Sequence, residues 1–477
     1  MDLPLYRQVA DRLALAVQDG VYRRGDRLPS VRALAHDWDV SINTVIEAYR
    51  DLSAHGLITA RPQTGYFVSA ADTTLAEPGE STPPTGPTPI GISELALCVL
   101  QQGYRSGMLP LGAALPDPAK LPLTAVNRII NRVLVEDPEV AHRYEMPPGA
   151  VAFRIAIARL YLQADCRLHP DGIVATAGGL EAMVLALRAT CPPGSIVAVE
   201  SPTYYGILQA LDGLGLQALE IPTSPQGGMN LGALRFALDE HRVAAVMVIS
   251  NFSNPIGSRM SDQAKRELVA LLAERDLPLI EDDIFGDLAH DGVRPCVAKS
   301  FDEPGDAGRV LLCSSFSKVV SPGLRIGFVA AGRWHRAVER LQASSSLAAG
   351  SLGQHAVARL ITSGAYERHL RRMRPLYARS CAAMASAVLA SFPTGTRVTR
   401  PTGGYILWVE MPAGCDATRL YEAALRARIS LAPGPLFSAR GRYDTCIRLN
   451  AAAWDESRQA GIVTLGRLAN KVLRLTS

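Results

Sequence analysis

Residues 310–330 read VLLCSSFSKVVSPGLRIGFVA. Two apolar runs, Val310–Ser314 and Ile326–Ala330, predict buried strands, and Pro322-Gly323 breaks the loop between them. In that loop one lysine, Lys318, stands among Ser315, Ser317 and Arg325. A lysine at a strand end, with small hydroxyls and a guanidinium beside it, has the parts for carbonyl chemistry. The amine can form a Schiff base while its neighbours hold a phosphate. The chain has only five lysines against 44 arginines, so the candidates for amine chemistry are few. Lys265 and Lys471 fall in amphipathic helical patterns and Lys299 follows an exposed-looking Arg-Pro turn, all three reading as surface lysines. Lys120, in a Pro-rich loop, stays open.

Around this stretch, residues 92–477 alternate apolar runs with helical patterns. Ile173–Thr176, Ile196–Val199, Ala244–Ser250 and Leu277–Glu281 predict further strands, and Leu180–Arg188 and Asp262–Glu274 predict helices. That order specifies an α/β domain with a mainly parallel sheet. After about residue 350, long helices and a Tyr405–Met411 strand predict a smaller α+β lobe. Sites in such sheets lie at the C-terminal ends of strands, where several polar motifs fall. Gly178-Gly179-Leu180 would expose helix N-terminal amides to an anion, or be a simple turn. Tyr204, in Ser201-Pro202-Thr203-Tyr204, could stack on an aromatic ring or sit in the core. Asn254, in Asn254-Pro255-Ile256-Gly257, could donate to a ring hydroxyl or merely make a turn. Asp282 could hold a pyridinium proton, and it or Asp283 could cap a helix. Arg448, embedded in an apolar strand, needs a partner: a substrate carboxylate or a structural salt bridge.

Residues 1–69 form a separate unit. Leu5, Val9, Leu13, Ala16 and Val17 recur at helical spacing, ending at Gly20. Ser30 can cap a second helix with Val31, Leu34 and Ala35. Ser41 can cap a third, with Val45, Ala48, Tyr49 and Leu52 inward and Gly56 at its end. Leu57–Ala60 and Gly65–Val68 predict two strands about a turn at Pro62-Gln63-Thr64-Gly65. Three helices and a hairpin make a winged helix-turn-helix. Residues 70–91, rich in Pro, Thr, Gly and Ala, predict a semi-extended linker.

Composition bounds the rest. Of 477 residues 48% are hydrophobic and 20% charged, enough for packed cores and not the make-up of a disordered chain. A net charge of +4 gives no strong field toward nucleic acid or membrane. No run approaches the ~18 apolar residues of a membrane span. The charged, amphipathic start does not read as a signal peptide. Eight cysteines with no C-x-x-C pair suit reduced thiols in a cytoplasm, with no disulfide framework and no metal site.

The order and spacing of the body motifs resemble the fold-type I pyridoxal-phosphate enzymes, the aspartate aminotransferase superfamily, from about residue 92 onward. The resemblance implies that Lys318 forms the internal aldimine of pyridoxal 5'-phosphate, Asp282 pairs with its pyridine nitrogen, Asn254 faces O3′ and Tyr204 stacks on the ring. It implies that Gly178, Gly179, Leu180, Ser315, Ser317 and Arg325 hold the phosphate, that Tyr144 reaches the cofactor of the other subunit in a homodimer, and that Arg448 binds an α-carboxylate. One departure stands out. The family places a tyrosine that donates to O3′ two or three residues after the aspartate, where this chain has Ile284 and Phe285.

The head resembles the GntR winged helices through Gly25-Asp26-Arg27-Leu28-Pro29-Ser30-Val31-Arg32 and the Thr44…Gly56-Leu57-Ile58 frame. That implies DNA contacts by Arg32, Ser41, Asn43 and Thr44, with Gly65 at the wing. Ile42 stands where many members carry arginine. The head has eight arginines, no lysine and eight acidic residues, so affinity must come from the placement of Arg32, Arg61 and helix N-termini. Head, linker and body together resemble the MocR-type regulators. The implied function is a regulator that binds operator DNA and senses an amino acid or amine by external aldimine formation. The alternatives are a working aminotransferase with a fused head, and a sensor of pyridoxal phosphate itself.

Overall fold

The computed structural model describes residues 4–18, 21–22, 25–54, 57–61, 64–68, 77–83, 86–90, 94–102, 105–303 and 307–475. The expected helix ends at Gly20 and Gly56, the turn residues Pro62 and Gln63, and residues 70–76, 84–85 and 91 of the expected linker lie outside that set.

In the head, α1 (Leu5–Gln18), α2 (Val31–Asp37) and α3 (Ile42–Ala54) precede a hairpin of β1 (Ile58–Arg61) and β2 (Gly65–Val68). The helical spacing of the apolar residues decides the packing. Val9, Ala10 and Leu13 bury with Leu34, Val45, Ala48, Tyr49 and Leu52 in one core, which Ile58 and Val68 close. Both expected caps form: Ser30 Oγ accepts from Ala33 N–H at 3.2 Å and Ser41 Oγ from Thr44 N–H at 3.0 Å. Each satisfies an amide the helix leaves free.

The body is built on a nine-stranded sheet. In chain order its strands are β3 (Thr88–Pro89), β5 (Ile173–Thr176), β6 (Ile196–Ser201), β7 (Gln217–Ser224), β8 (Gly228–Met229), β9 (Val243–Val248), β10 (Leu279–Asp282), β11 (Val310–Ser315) and β12 (Gly327–Ala330). A separate short strand, β4 (Leu109–Pro110), pairs elsewhere. The spatial order is β3-β7-β6-β9-β10-β11-β12-β5, with β8 beside β7. The run from β7 to β11 is parallel, whereas β12 is antiparallel to both β11 and β5. Alternate residues serve opposite faces. Val197, Val199, Met247 and Leu311 pack under helices Gly179–Thr190 and Tyr205–Gly213, and Ala198, Val246, Val248 and Val310 pack over Leu231–Glu240 and Asp262–Ala273. Burial on both faces explains the nearly continuous apolar runs.

The smaller lobe holds β13 (Arg397–Val398), β14 (Ile406–Glu410), β15 (Ile429–Ser430), β16 (Ala432–Pro433) and β17 (Cys446–Asn450). Four of these make an antiparallel sheet in the order β13-β14-β17-β16, and β15 pairs with β4. Helices Ala365–Ser391, Ala417–Arg426 and Glu456–Arg474 cover it.

Three expectations need correction. The sequence pattern does not announce β7, because Glu220 and Pro222 interrupt its apolar run. Glu220 is nonetheless buried, accepting from Ser201 Oγ at 2.8 Å and Ser438 Oγ at 3.2 Å. Secondly, the expected semi-extended linker is extended but not free-standing, being bonded as a strap to the large sheet at Ser81 and at Thr88–Pro89. Ser81 N–H donates to Thr223 O at 3.1 Å, Thr223 N–H donates to Ser81 Oγ at 2.8 Å, and β3 adds to the sheet beside β7. Prolines prevent a helix here, but an extended segment can still bond to a sheet edge. Thirdly, Lys265 and Lys299 are not surface lysines. Lys265 is fully buried, donating to Asn251 Oδ1 at 2.8 Å and Cys296 O at 2.7 Å. Lys299 donates to Asp302 Oδ2 at 2.8 Å and Val310 O at 2.7 Å.

Candidate functional site

Strand direction gathers the site. Because β5, β6, β9, β10 and β11 point the same way, their C-terminal ends form one edge of the sheet. Gly178 follows β5, Tyr204 follows β6, Asn254 follows β9, Asp282 ends β10, and Ser315 ends β11 with Lys318 just beyond. Arg325 precedes β12, which begins at that same edge because it runs the opposite way.

Lys318 is half-buried, and its Nζ donates to Ala114 O at 2.7 Å. Burial, then the Arg448 charge, push its amine down to about 8, against the pull of Asp282. Asp282 is 3% exposed, and its Oδ1 has no hydrogen-bond partner among the described residues. Burial and then Asp283 raise its carboxyl to about 7. The element after β10 is a short 3-10 helix, Gly286–Leu288, whose N-cap is Phe285, so neither aspartate is a helix cap. Asp283 instead takes Arg294, Tyr161 Oη–H at 2.8 Å and Asn251 Nδ2–H at 3.1 Å, a structural cluster beside the site.

Arg448 lies on β17 with 0% exposure and beside the touching rings of Tyr205 and Phe437, its guanidinium carbon 5.6 Å and 4.9 Å from their centroids. It donates to Asn254 Oδ1 at 2.8 Å and Gly112 O at 2.7 Å, and its Nε is unpartnered. Among the described residues no carboxylate pairs with it. The structural salt bridge is therefore set aside, and a buried cation remains held by neutral acceptors, an arrangement that favours an incoming anion. Since Asn254 gives its oxygen to Arg448, its amide N–H bonds are turned elsewhere.

Gly178, Arg325 and the serines form a cradle. Gly178 has φ +98°, a conformation that favours glycine, and a Cβ there would meet Arg325 Nη2 at 2.4 Å and push the guanidinium aside. Arg325 donates to Ala177 O at 2.8 Å and Ser317 Oγ at 3.4 Å. Ser315 and Ser317 are buried, and a Cβ on Gly179 would lie 3.6 Å from Ser315 Oγ. Leu180, the second residue of the helix Gly179–Thr190, is 45% exposed. Tyr204 bends back over its own helix start, where a Cβ on Gly206 would meet its ring at 2.4 Å. Phe285 is fully buried, edge-to-face with Tyr405 at 5.3 Å, and Ile284 reaches within 3.8 Å of a Cβ on Gly179. Tyr144 is not drawn into this cluster. Its ring is 72% exposed on a loop fastened by Glu145–His355 at 2.9 Å.

Sequence reasoning missed Gly112, Ala114 and Phe437. The run of small residues Gly112-Ala113-Ala114 was the one available signal for a backbone approached closely from elsewhere.

On the head, Arg32 on α2 and Ser41, Ile42 and Asn43 at the start of α3 are exposed, and Thr44 is half-exposed with Oγ1 2.8 Å from Ser41 Oγ. Arg61 ends β1 opposite Gly65 at the wing turn.

The family "Aminotransferase class I and II" matches residues 108–462, and "Bacterial regulatory proteins, gntR family" matches 5–68. The uncharacterized HTH-type transcriptional regulator YjiR of Escherichia coli is 38% identical over 94% of this chain and 94% of its own length. YdcR of the same organism, also an uncharacterized HTH-type regulator, is 37% identical over 98% and 99%. The crystal structure of LysN, an α-aminoadipate aminotransferase of Thermus thermophilus complexed with N-(5'-phosphopyridoxyl)-L-leucine, superposes with a TM-score of 0.73. The two are 29% identical, over 81% of this chain and 97% of that one.

Proposed function

The chain belongs to the aminotransferase class I and II family and carries a gntR-family head, and from that membership we propose a homodimeric, cytoplasmic transcriptional regulator that binds pyridoxal phosphate in its body and operator DNA through its heads, and whose grip on DNA responds to an amino acid or amine. The residues present fit the cofactor. Asp282 Oδ1 is a buried acceptor lacking a donor among the described residues, and the Gly178–Arg325 cradle joins two serines and a helix N-terminus. When bound, the cofactor supplies an aldehyde that carries amines and a ring that withdraws electrons from them.

The chain's own groups have the following roles. Lys318, its amine lowered to about 8, is partly unprotonated near neutral pH and offers a lone pair. Asp282 would accept a hydrogen bond from the ring N–H and keep the ring nitrogen protonated. Tyr204 covers one face, and Asn254 keeps its amide protons for O3′. Gly178, Gly179, Leu180, Ser315, Ser317 and Arg325 hold the phosphate. Arg448 would take the effector's carboxylate. In the head, Arg32, Arg61, Ser41, Asn43 and Thr44 contact the duplex, with Gly65 shaping the wing.

The observation that carries this reading is Arg448: a fully buried guanidinium held by two neutral oxygens, in a chain that also carries a DNA-binding head. Phe285, with no hydroxyl for O3′, favours regulation over rapid turnover. A working aminotransferase is the second reading, favoured by the intact set Lys318, Asp282, Asn254 and Arg448. Visible absorbance on adding single amino acids separates the two. A stable shift of the band together with altered operator binding supports the regulator. Rapid bleaching that 2-oxo acids reverse supports the enzyme. Lys318→Ala should abolish the band, while Lys120→Ala, Lys299→Ala and Lys471→Ala keep it.

A further inference from the structure

Glu77 joins the two lobes of the body. Its Oε2 accepts from Gln226 Nε2–H at 2.7 Å, at the turn between β7 and β8. Its Oε1 accepts from Arg400 backbone N–H at 2.8 Å, in the small lobe. Arg400 follows Thr399, whose N–H donates to Trp408 O at 2.9 Å and whose Oγ1 accepts from Trp408 N–H at 3.0 Å. Trp408 is in turn the register partner of Arg448 across β14 and β17. Two rungs of one sheet thus separate the buried guanidinium from the Glu77 carboxylate. The strap also grips the large sheet through Ser81 and through Glu80, which accepts from Asn230 Nδ2–H at 2.7 Å. Glu77 lies nine residues after Val68, the end of the wing.

We propose that Glu77 is an interlobe latch through which the effector site acts on the segment leading to the DNA-binding head. The proposal rests on Arg448 reading a carboxylate. Arg448 itself bridges the lobes, from β17 to Asn254. A ligand carboxylate competes for the donors now given to Asn254 and Gly112, and as an anion it is the stronger acceptor. The shift of β17 passes through paired strands to Arg400, whereas Gln226 stays with the large sheet, so one carboxylate cannot follow both partners. Between strap and small lobe lies a cavity of about 740 Å³, lined in part by Pro78, Glu80, Trp408, Glu410, Arg442 and Tyr443. It shares no residue with the Lys318 cluster and leaves room for the lobe to move.

The test is amide hydrogen exchange on the full chain, loaded either with pyridoxal phosphate alone or with N-(5'-phosphopyridoxyl)-L-leucine. The Arg400 amide, which donates to Glu77, and the Ser81 amide are the reporters. The expected result is protection with the cofactor alone and loss of Arg400 protection with the leucine adduct. Glu77→Ala, a change at an exposed bond, should lower Arg400 protection in both states and, since adduct binding no longer has to break that bond, tighten adduct binding, while the adduct's effect on operator binding is lost. Equal Arg400 protection in both wild-type states would overturn the latch, as would a full operator response in Glu77→Ala. Adduct-dependent exchange without any change in wild-type operator binding would support the latch and sink the regulator reading.

Discussion

At the scale of single residues, the charge states of the site make the sharpest predictions. Asp282, raised to about 7 in the cofactor-free protein, keeps a proton that the unfolded chain gives up near ~4. Between those values unfolding releases a proton, so stability falls as pH rises through the interval and stays lower above it. Asp282→Asn removes that penalty. Thermal melts of cofactor-free protein should show the variant more stable above about pH 7, by on the order of 2–4 kcal/mol, and equal to wild type near ~pH 4. Its affinity for pyridoxal phosphate should fall, since an amide cannot partner a ring N–H⁺ as an anion does. Phe285 makes the second prediction. A phenol donating to the O3′ oxyanion favours the deprotonated chromophore, and Phe285 lacks it. The visible band of loaded wild type should therefore titrate at a higher pH than that of Phe285→Tyr. The reverse order would mean that another donor already serves O3′. Lys318, Asp282 and Asn254 were legible because each sits in a short local motif. Gly112 and Ala114 were not, since the bonds that matter there come from residues more than 200 positions away.

At the scale of elements, β17 and α3 show what periodicity can and cannot reveal. An arginine in an apolar strand is visible in sequence, but that no carboxylate among the described residues pairs with it is visible only once β17 lies against the Asn254 loop. Arg448→Ala should lose the amino-acid response while keeping the cofactor, at a cost of about 2–5 kcal/mol in effector binding, read by titrating the visible band. Wild type should discriminate an amino acid from its decarboxylated amine, and equal responses would refute carboxylate reading. In the head, both caps and the inward stripe of α3 were readable because they are local, whereas on α1 the expected Leu5 is 53% exposed and Ala10, outside the expected stripe, is buried. Arg32 on α2 is exposed and free to meet DNA. Arg32→Ala should weaken operator binding by about 1–3 kcal/mol if the contact is bidentate to a base, with cofactor binding untouched. A phosphate contact would instead lower the salt slope by about 1 for every sequence alike. By contrast β7 and the strap were hidden, because a buried glutamate and a run of prolines look like loop until a neighbouring sheet edge supplies their bonds.

At the scale of the whole molecule, the Tyr144 loop decides whether one chain makes a complete site. Its own chain fixes it from behind, through Glu145 to His355 and through Ala150 N–H to Gln354 Oε1 at 2.8 Å. In front it offers Tyr144, Met146 and Val151 to solvent at 72%, 51% and 59% exposure. A fastened loop with an apolar front is what a covering partner would use, and a homodimer would carry each Tyr144 to the other subunit's phosphate cradle. The two arrangements differ in a subunit-mixing experiment. Lys318→Ala protein has no amine for the cofactor, and Tyr144→Phe protein should bind it weakly. If Tyr144 serves the other chain, a mixed dimer has one site with both lesions and one with neither. Statistical mixing of equal amounts should then restore wild-type affinity at about a quarter of all sites, seen as a tight phase in a cofactor titration. If Tyr144 serves its own chain, every site in the mixture keeps a lesion and no tight phase emerges. The appearance of that phase only after the two variants are unfolded and refolded together would also establish the dimer as the unit that builds the site, and hence as the unit that presents two heads to an operator.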